Sequence, residues 1–143
     1  MTSTSPEGGP TTEEIPMEAS VDTRNGAGTK SLESPDDTRT FPSGMVQLVR
    51  LGGHSIGRTA LEPGWRWSEC VKPIAGTERC QARHVGYQLS GTLRVEFEDG
   101  TGLVIKPGDA YVIRPGHDGW VEGDETVRSV EFESLADWGT PAE

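Results

Sequence analysis

From Phe41 onward, apolar and polar positions alternate in short runs broken by Gly, Pro and Asp. "MVQLVRL" stops at Gly52-Gly53, "SIGRTALE" at Pro63-Gly64, "HVGYQLS" at Gly91 and "TLRVEFE" at Asp99-Gly100. "GLVIK" and "AYVIR" each end at a Pro-Gly pair, and "TVRSVEFESL" closes the series. In "TLRVEFEDG", Leu93, Val95 and Phe97 share one face while Arg94, Glu96 and Glu98 share the other, so a half-wet strand runs into a hairpin turn. Turn signals recur roughly every 8–12 residues, the spacing of an all-β sandwich or barrel. No long stretch carries a helical period; only "SLADWG" suggests a short C-terminal turn.

Residues 1–38 follow another grammar. They are rich in Thr, Ser, Gly, Pro and Glu and hold no aromatic residue, and the first 40 residues carry eight acids against three bases. Such a segment buries too little apolar surface to offset chain entropy, which predicts a disordered acidic tail. The remainder, 39–138, has the length of one small β-barrel domain.

The net charge of −10 disfavours phosphate backbones and anionic lipid, so neither nucleic acid nor membrane is expected as a partner. No apolar run is long enough to span a bilayer, and the N-terminus lacks the pattern of a secretory signal. Two cysteines in such a chain predict a reducing, cytoplasmic setting, with the thiols free. The spacing of Cys and His also excludes a zinc finger, because there is no C-x₂-C and no H-x₃₋₅-H pair.

The stretch "GYQLSGTLRVEFEDGTGLVIKPGDAYVIRPGHDGWV", with "LEPGWRWSE" upstream, resembles the cupin superfamily in order and content over about residues 42–133. That resemblance implies a jelly-roll barrel, a double-stranded β-helix. It also implies a divalent metal held by an H-x-H pair, a glutamate and a third histidine. This chain departs from the pattern. Cys70 and Lys72 stand at the H-x-H places, His84 at the glutamate place, and His117 directly after the second Pro-Gly turn. A second alignment puts Glu78 and Cys80 on the H-x-H pair.

The expected metal ligands are therefore Cys70, His84 and His117, with Cys80 as the alternative thiolate. One thiolate and two neutral imidazoles suit Fe, Zn or Cu better than Mg or Mn. Three protein ligands leave a position open for water or substrate. Strand alternation through Cys70 turns Arg66, Ser68 and Lys72 toward the pocket and Trp65 and Trp67 outward, where a homodimer interface would cover them. The opposite parity makes the tryptophans a pocket wall. Gln88 shares the face of His84, and Trp120 follows His117 closely enough to pack over the metal. His54, after two glycines, reads as a surface residue.

The resemblance points to a metal-dependent enzyme of dioxygenase type acting on a small organic molecule. A non-catalytic sensor or accessory cupin, and a metal-dependent isomerase or lyase, remain as alternatives, because a fold does not fix a reaction.

Overall fold

A computed structural model describes residues 25–134 and Trp138. The disorder expected for residues 1–24 and most of the C-terminal turn lie outside the described residues. Among the described residues are nine strands: β1 (Asp37–Phe41), β2 (Gly44–Leu51), β3 (His54–Leu61), β4 (His84–Ser90), β5 (Thr92–Phe97), β6 (Gly102–Ile105), β7 (Ala110–Ile113), β8 (His117–Glu122) and β9 (Val127–Phe132). Two single-turn helices, α1 (Trp67–Cys70) and α2 (Lys72–Ala75), fill the connection from β3 to β4.

All pairings are antiparallel. One sheet has the order β1-β2-β3-β9-β4-β7, the other β6-β5-β8. The inward faces of the two sheets line one cavity, with Thr59, His84, Tyr111 and Glu131 from the first and Val95, His117 and Gly119 from the second. The all-β expectation thus holds as a jelly-roll architecture.

The hairpins form where the turn chemistry predicts. Between β5 and β6, Asp99 Oδ1 accepts the amide of Thr101 at 3.0 Å and Gly100 takes a positive φ of 87°. Gly91, between β4 and β5, also has positive φ, and a Cβ there would lie 2.7 Å from the carbonyl oxygen of Thr126. Only glycine fits that crossing.

The expected tail boundary at residue 38 falls inside β1, which pairs with β2 along its whole length. Residues just before it are already tied down. Lys30 bonds Asp36 at 2.8 Å, and Arg58 reaches both Glu33 and the carbonyl of Leu32.

The tryptophans correct the outward parity. Trp65 and Trp67 are buried in a core cluster with Val46, Leu48, Leu61 and Val121. The helical turn after Arg66 breaks the alternation, because the backbone at 67–75 satisfies itself through bonds such as Cys70 N–H to Arg66 C=O. Arg66 instead lies over the ring of Trp120, 4.2 Å from its centroid, and pairs with Asp118.

Candidate metal centre

Cys80 has no strand of its own. It forms a lone antiparallel bridge to His117, its amide donating to the His117 carbonyl at 2.8 Å. This bridge carries the thiol to the start of β8. Four residues later the chain enters β4, whose inward face presents His84, Gly86 and Gln88 while Val85, Tyr87 and Leu89 face out. The result is a buried trio, Cys80, His84 and His117, each with a ligand atom within 4.8 Å of the others. All three are at most 5% exposed.

The imidazoles are held so that one nitrogen of each is committed elsewhere. His84 Nδ1 lies 2.7 Å from Glu131 Oε1 and donates to it. His117 Nδ1 lies 2.7 Å from the Arg114 carbonyl, which can only accept. In the neutral form, each ring therefore keeps its proton on Nδ1 and leaves the Nε2 lone pair available. His84 Nε2 stands 3.7 Å from Cys80 Sγ. In a tetrahedral site with ordinary metal–thiolate and metal–imidazole bonds, sulfur and nitrogen stand about 3.6 Å apart. The donor set and its spacing fit a transition ion.

Burial alone would push the Cys80 thiol up, but hydrogen bonding to His117 and then His84 outweighs it and holds the thiol at about 6. Burial would likewise depress His84. The Glu131 carboxylate, with the hydrogen bonds to Cys80 and Glu131, overcomes this and raises the imidazole to about 10. Both shifts favour the thiolate–imidazolium form of the pair over the neutral one, and a metal would displace any proton on His84 Nε2. Trp138 adds an indole N–H to the sulfur at 3.3 Å.

Glu131 has a second partner. Tyr111 donates its hydroxyl to Oε2 at 2.7 Å, and burial together with the charge of Glu131 pushes that phenol above its ordinary range. Gly86 makes the reach feasible. It is paired with Tyr111 on one side and Glu131 on the other, and a Cβ there would lie 2.6 Å from the Tyr111 oxygen.

A scan against protein-family models gives no match, and no curated protein matches by sequence. Solved structures do match in shape. An RmlC-like cupin from Shewanella frigidimarina is 13% identical, over 76% of this chain and 92% of that one, with a TM-score of 0.50. The fold is that of the cupins. The polyketide cyclase RemF from Streptomyces resistomycificus is similar at 14% identity, over 76% of this chain and 79% of that one, with a TM-score of 0.52.

Within this cupin barrel the expected site residues separate. His84, His117 and the alternative thiolate Cys80 come together. Cys70 closes α1 in the hydrophobic core, among residues such as Trp67 and Val71, and does not belong to the trio. Of the expected pocket residues, Lys72 points to Glu78, Arg66 and Trp120 stack on each other, and the Ser68 amide bonds Asp118. None of these four lines the cavity. Gln88 is fully buried, but its amide nitrogen donates to the carbonyls of Gly91 and Ile105, a structural task. His54 is exposed and paired with Glu133.

Glu131, Tyr111 and Trp138 escape the sequence reading. The only available signal was parity in "TVRSVEF", where Val127, Ser129 and Glu131 share a face. Among the described residues no helix is long and apolar enough to cross a membrane.

Proposed function

We propose that Cys80, His84 and His117 hold one divalent transition metal, Fe, Zn or Cu, and that the protein is a metal-dependent cupin enzyme of dioxygenase type acting on a small organic molecule. The observation that supports this most is the locking of both Nδ1 atoms, one by the buried Glu131 carboxylate and one by the Arg114 carbonyl, which leaves three donors converging beside a cavity. A bound ion of this kind supplies a Lewis acid and, as iron or copper, a redox centre for dioxygen. Glu131 fixes the His84 tautomer and ring plane and takes up the charge that the imidazole shares. Tyr111 keeps Glu131 in place. The apolar wall of Leu61, Leu93, Val95 and Ile113 keeps bulk water from the reacting end.

Metal content of the purified full-length chain, as isolated and after reconstitution, tests the reading. We expect near one equivalent in the wild type and in Cys70→Ser, and a large loss in Cys80→Ser. Less than a tenth of an equivalent in the wild type, or loss in Cys70→Ser alone, overturns it. If the metal is zinc, the isomerase or lyase chemistry replaces oxygen chemistry.

The homodimer proposed from the sequence finds a different support. Val85, Tyr87, Leu89, Val112 and Phe132 are exposed on the outer face of β9, β4 and β7, with Val85 paired directly to Val112. A second copy covering that face would remove this apolar area from water. Light scattering of wild type against Val112→Glu decides it: a wild-type monomer, or a dimer unmoved by the charge, sinks the dimer reading.

A further inference from the structure

The turn from β7 to β8, Arg114-Pro115-Gly116, ties two of the three donors together through the backbone. Cys80 donates its amide to the His117 carbonyl at 2.8 Å, and its own carbonyl accepts the Gly116 amide at 2.7 Å. Gly116 takes a φ of 90°, a conformation that glycine adopts without strain. On the far side of this turn, His117 Nδ1 comes back to the carbonyl of Arg114.

One hydrogen bond fixes where Nδ1 stands but leaves the ring free to rock about that contact, because acceptance at a carbonyl oxygen is broad in direction. Phe97 supplies the stop. It is the register partner of His117 on β5, and its ring meets the imidazole edge-on, with centroids 6.2 Å apart and planes at 78°. Phe97 is 5% exposed and belongs to a core cluster with Val95, Ile105, Tyr111 and Ile113. One face of its ring is covered by Arg114 itself, whose guanidinium carbon lies 3.7 Å from the ring centroid. Asp99, in the β5–β6 hairpin, faces the same guanidinium, Oδ2 to Nη2 at 3.5 Å. Neither Phe97 nor Arg114 lines the cavity, so both support His117 from outside it.

We propose that Arg114 is a positioning residue for the metal centre: its carbonyl holds His117 Nδ1, and its guanidinium backs Phe97 against the imidazole, which keeps Nε2 turned to Cys80 and His84. The inference deepens the metal reading and rests on it only for what Nε2 binds. The carbonyl survives any substitution at 114, so the part played by the side chain can be removed by itself. That side chain is 58% exposed, and its loss opens no cavity in the core. A cation over an aromatic ring at an exposed site is a modest attraction, enough to bias the seat of a ring but too small to decide whether the barrel folds.

The test uses the full chain with Arg114→Ala, and with Arg114→Gln, which keeps most of the stem and loses the cation, as the second variant should alanine fail to fold. In metal-free, isotope-labelled protein, nitrogen NMR reads the tautomer of neutral His117. Wild type should show Nδ1–H alone, and the variants a mixture with the Nε2–H form. Chelator competition with cobalt(II) reads the affinity, which should fall by about tenfold in the variants. Asp99→Asn removes only the exposed ion pair and should stay within about twofold of wild type. A His117 tautomer and a cobalt affinity unmoved in both Arg114 variants overturn the proposal. So does an Asp99→Asn loss as large as that of alanine, which would assign the effect to the hairpin. A wild-type chain that takes up no cobalt would sink the metal reading, and the tautomer in metal-free protein would still decide this inference. Cobalt uptake with an unmoved tautomer and affinity would sink this inference alone.

Discussion

Glu131 Oε1 stands 2.7 Å from His84 Nδ1, with both side chains buried. The carboxylate reaches the thiol side of the trio through the imidazole, since it is the opposite nitrogen that faces Cys80. Glu131→Gln keeps the shape and an oxygen acceptor but removes the charge. It should weaken metal binding by about tenfold to a hundredfold, with the fold retained. Chelator competition measures the affinity and thermal unfolding checks the fold; equal affinities would show that Glu131 is only a packing partner of Tyr111.

Gly86 and Tyr111 should behave as a coupled pair. A Cβ at position 86 would meet the Tyr111 oxygen at 2.6 Å and the Val130 carbonyl at 2.5 Å. Gly86→Ala alone should cost about 1–3 kcal/mol by overpacking. Tyr111→Phe alone should cost about 1–2 kcal/mol, because Glu131 loses a donor. In the Tyr111→Phe background the alanine should cost somewhat less, since the hydroxyl contact is gone while the Val130 carbonyl at 2.5 Å and the ring Cζ at 2.8 Å remain. Denaturant midpoints of the four proteins test this, and strict additivity would refute it.

The strands that end in glycine turns were legible because their turn chemistry is local: Asp99-Gly100 specifies its hairpin whatever else the chain does. The choice between Cys70 and Cys80 was not local. Only the bridge between Cys80 and His117, across 37 positions of sequence, brings a thiol to the histidines. Motif spacing favoured Cys70 by treating "WRWSEC" as a strand, whereas a helical turn there buries both tryptophans and seats Cys70 in the core. Glu131 was hidden for a related reason. In "VEFE" the apolar Val130 and Phe132 look like the inward set, yet Phe132 is exposed and the acid is inside. Burial of that carboxylate is tolerable only because His84 and Tyr111 satisfy it, and both come from other strands. His84 and His117 were legible because the resemblance to cupins supplied their neighbourhood.

The segment before β1 should reveal itself through pH. Asp36 accepts Lys30 Nζ at 2.8 Å and the Arg50 amide at 2.7 Å, and these bonds, that from Lys30 first, hold its carboxyl below the usual range. A depressed carboxyl stabilises the fold above its unfolded value, about 4, and the contribution fades as pH falls through the lower folded value. Wild type should therefore be more stable than Asp36→Asn at neutral pH, and the gap should close on acidification. Urea midpoints across that range measure it; a gap that persists in strong acid would assign the effect to packing.

Trp138 should tune the sulfur. Its indole N–H donates to Cys80 Sγ while its ring packs edge-on against Phe41 and His84, with centroids 5.5 and 5.8 Å away. A donor on a thiolate lowers the energy of the sulfur lone pair, and hydrogen bonding around a ligating sulfur is a recognised lever on metal-site properties. Trp138→Phe removes the donor and keeps an aromatic ring. In cobalt- or copper-reconstituted protein, the thiolate-to-metal charge-transfer band should then move to lower energy, with metal stoichiometry preserved. Cys80→Ser should abolish the band and Cys70→Ser should leave it in place. A band unmoved by Trp138→Phe would mean that the indole closes the site by packing alone, with no electronic part in it.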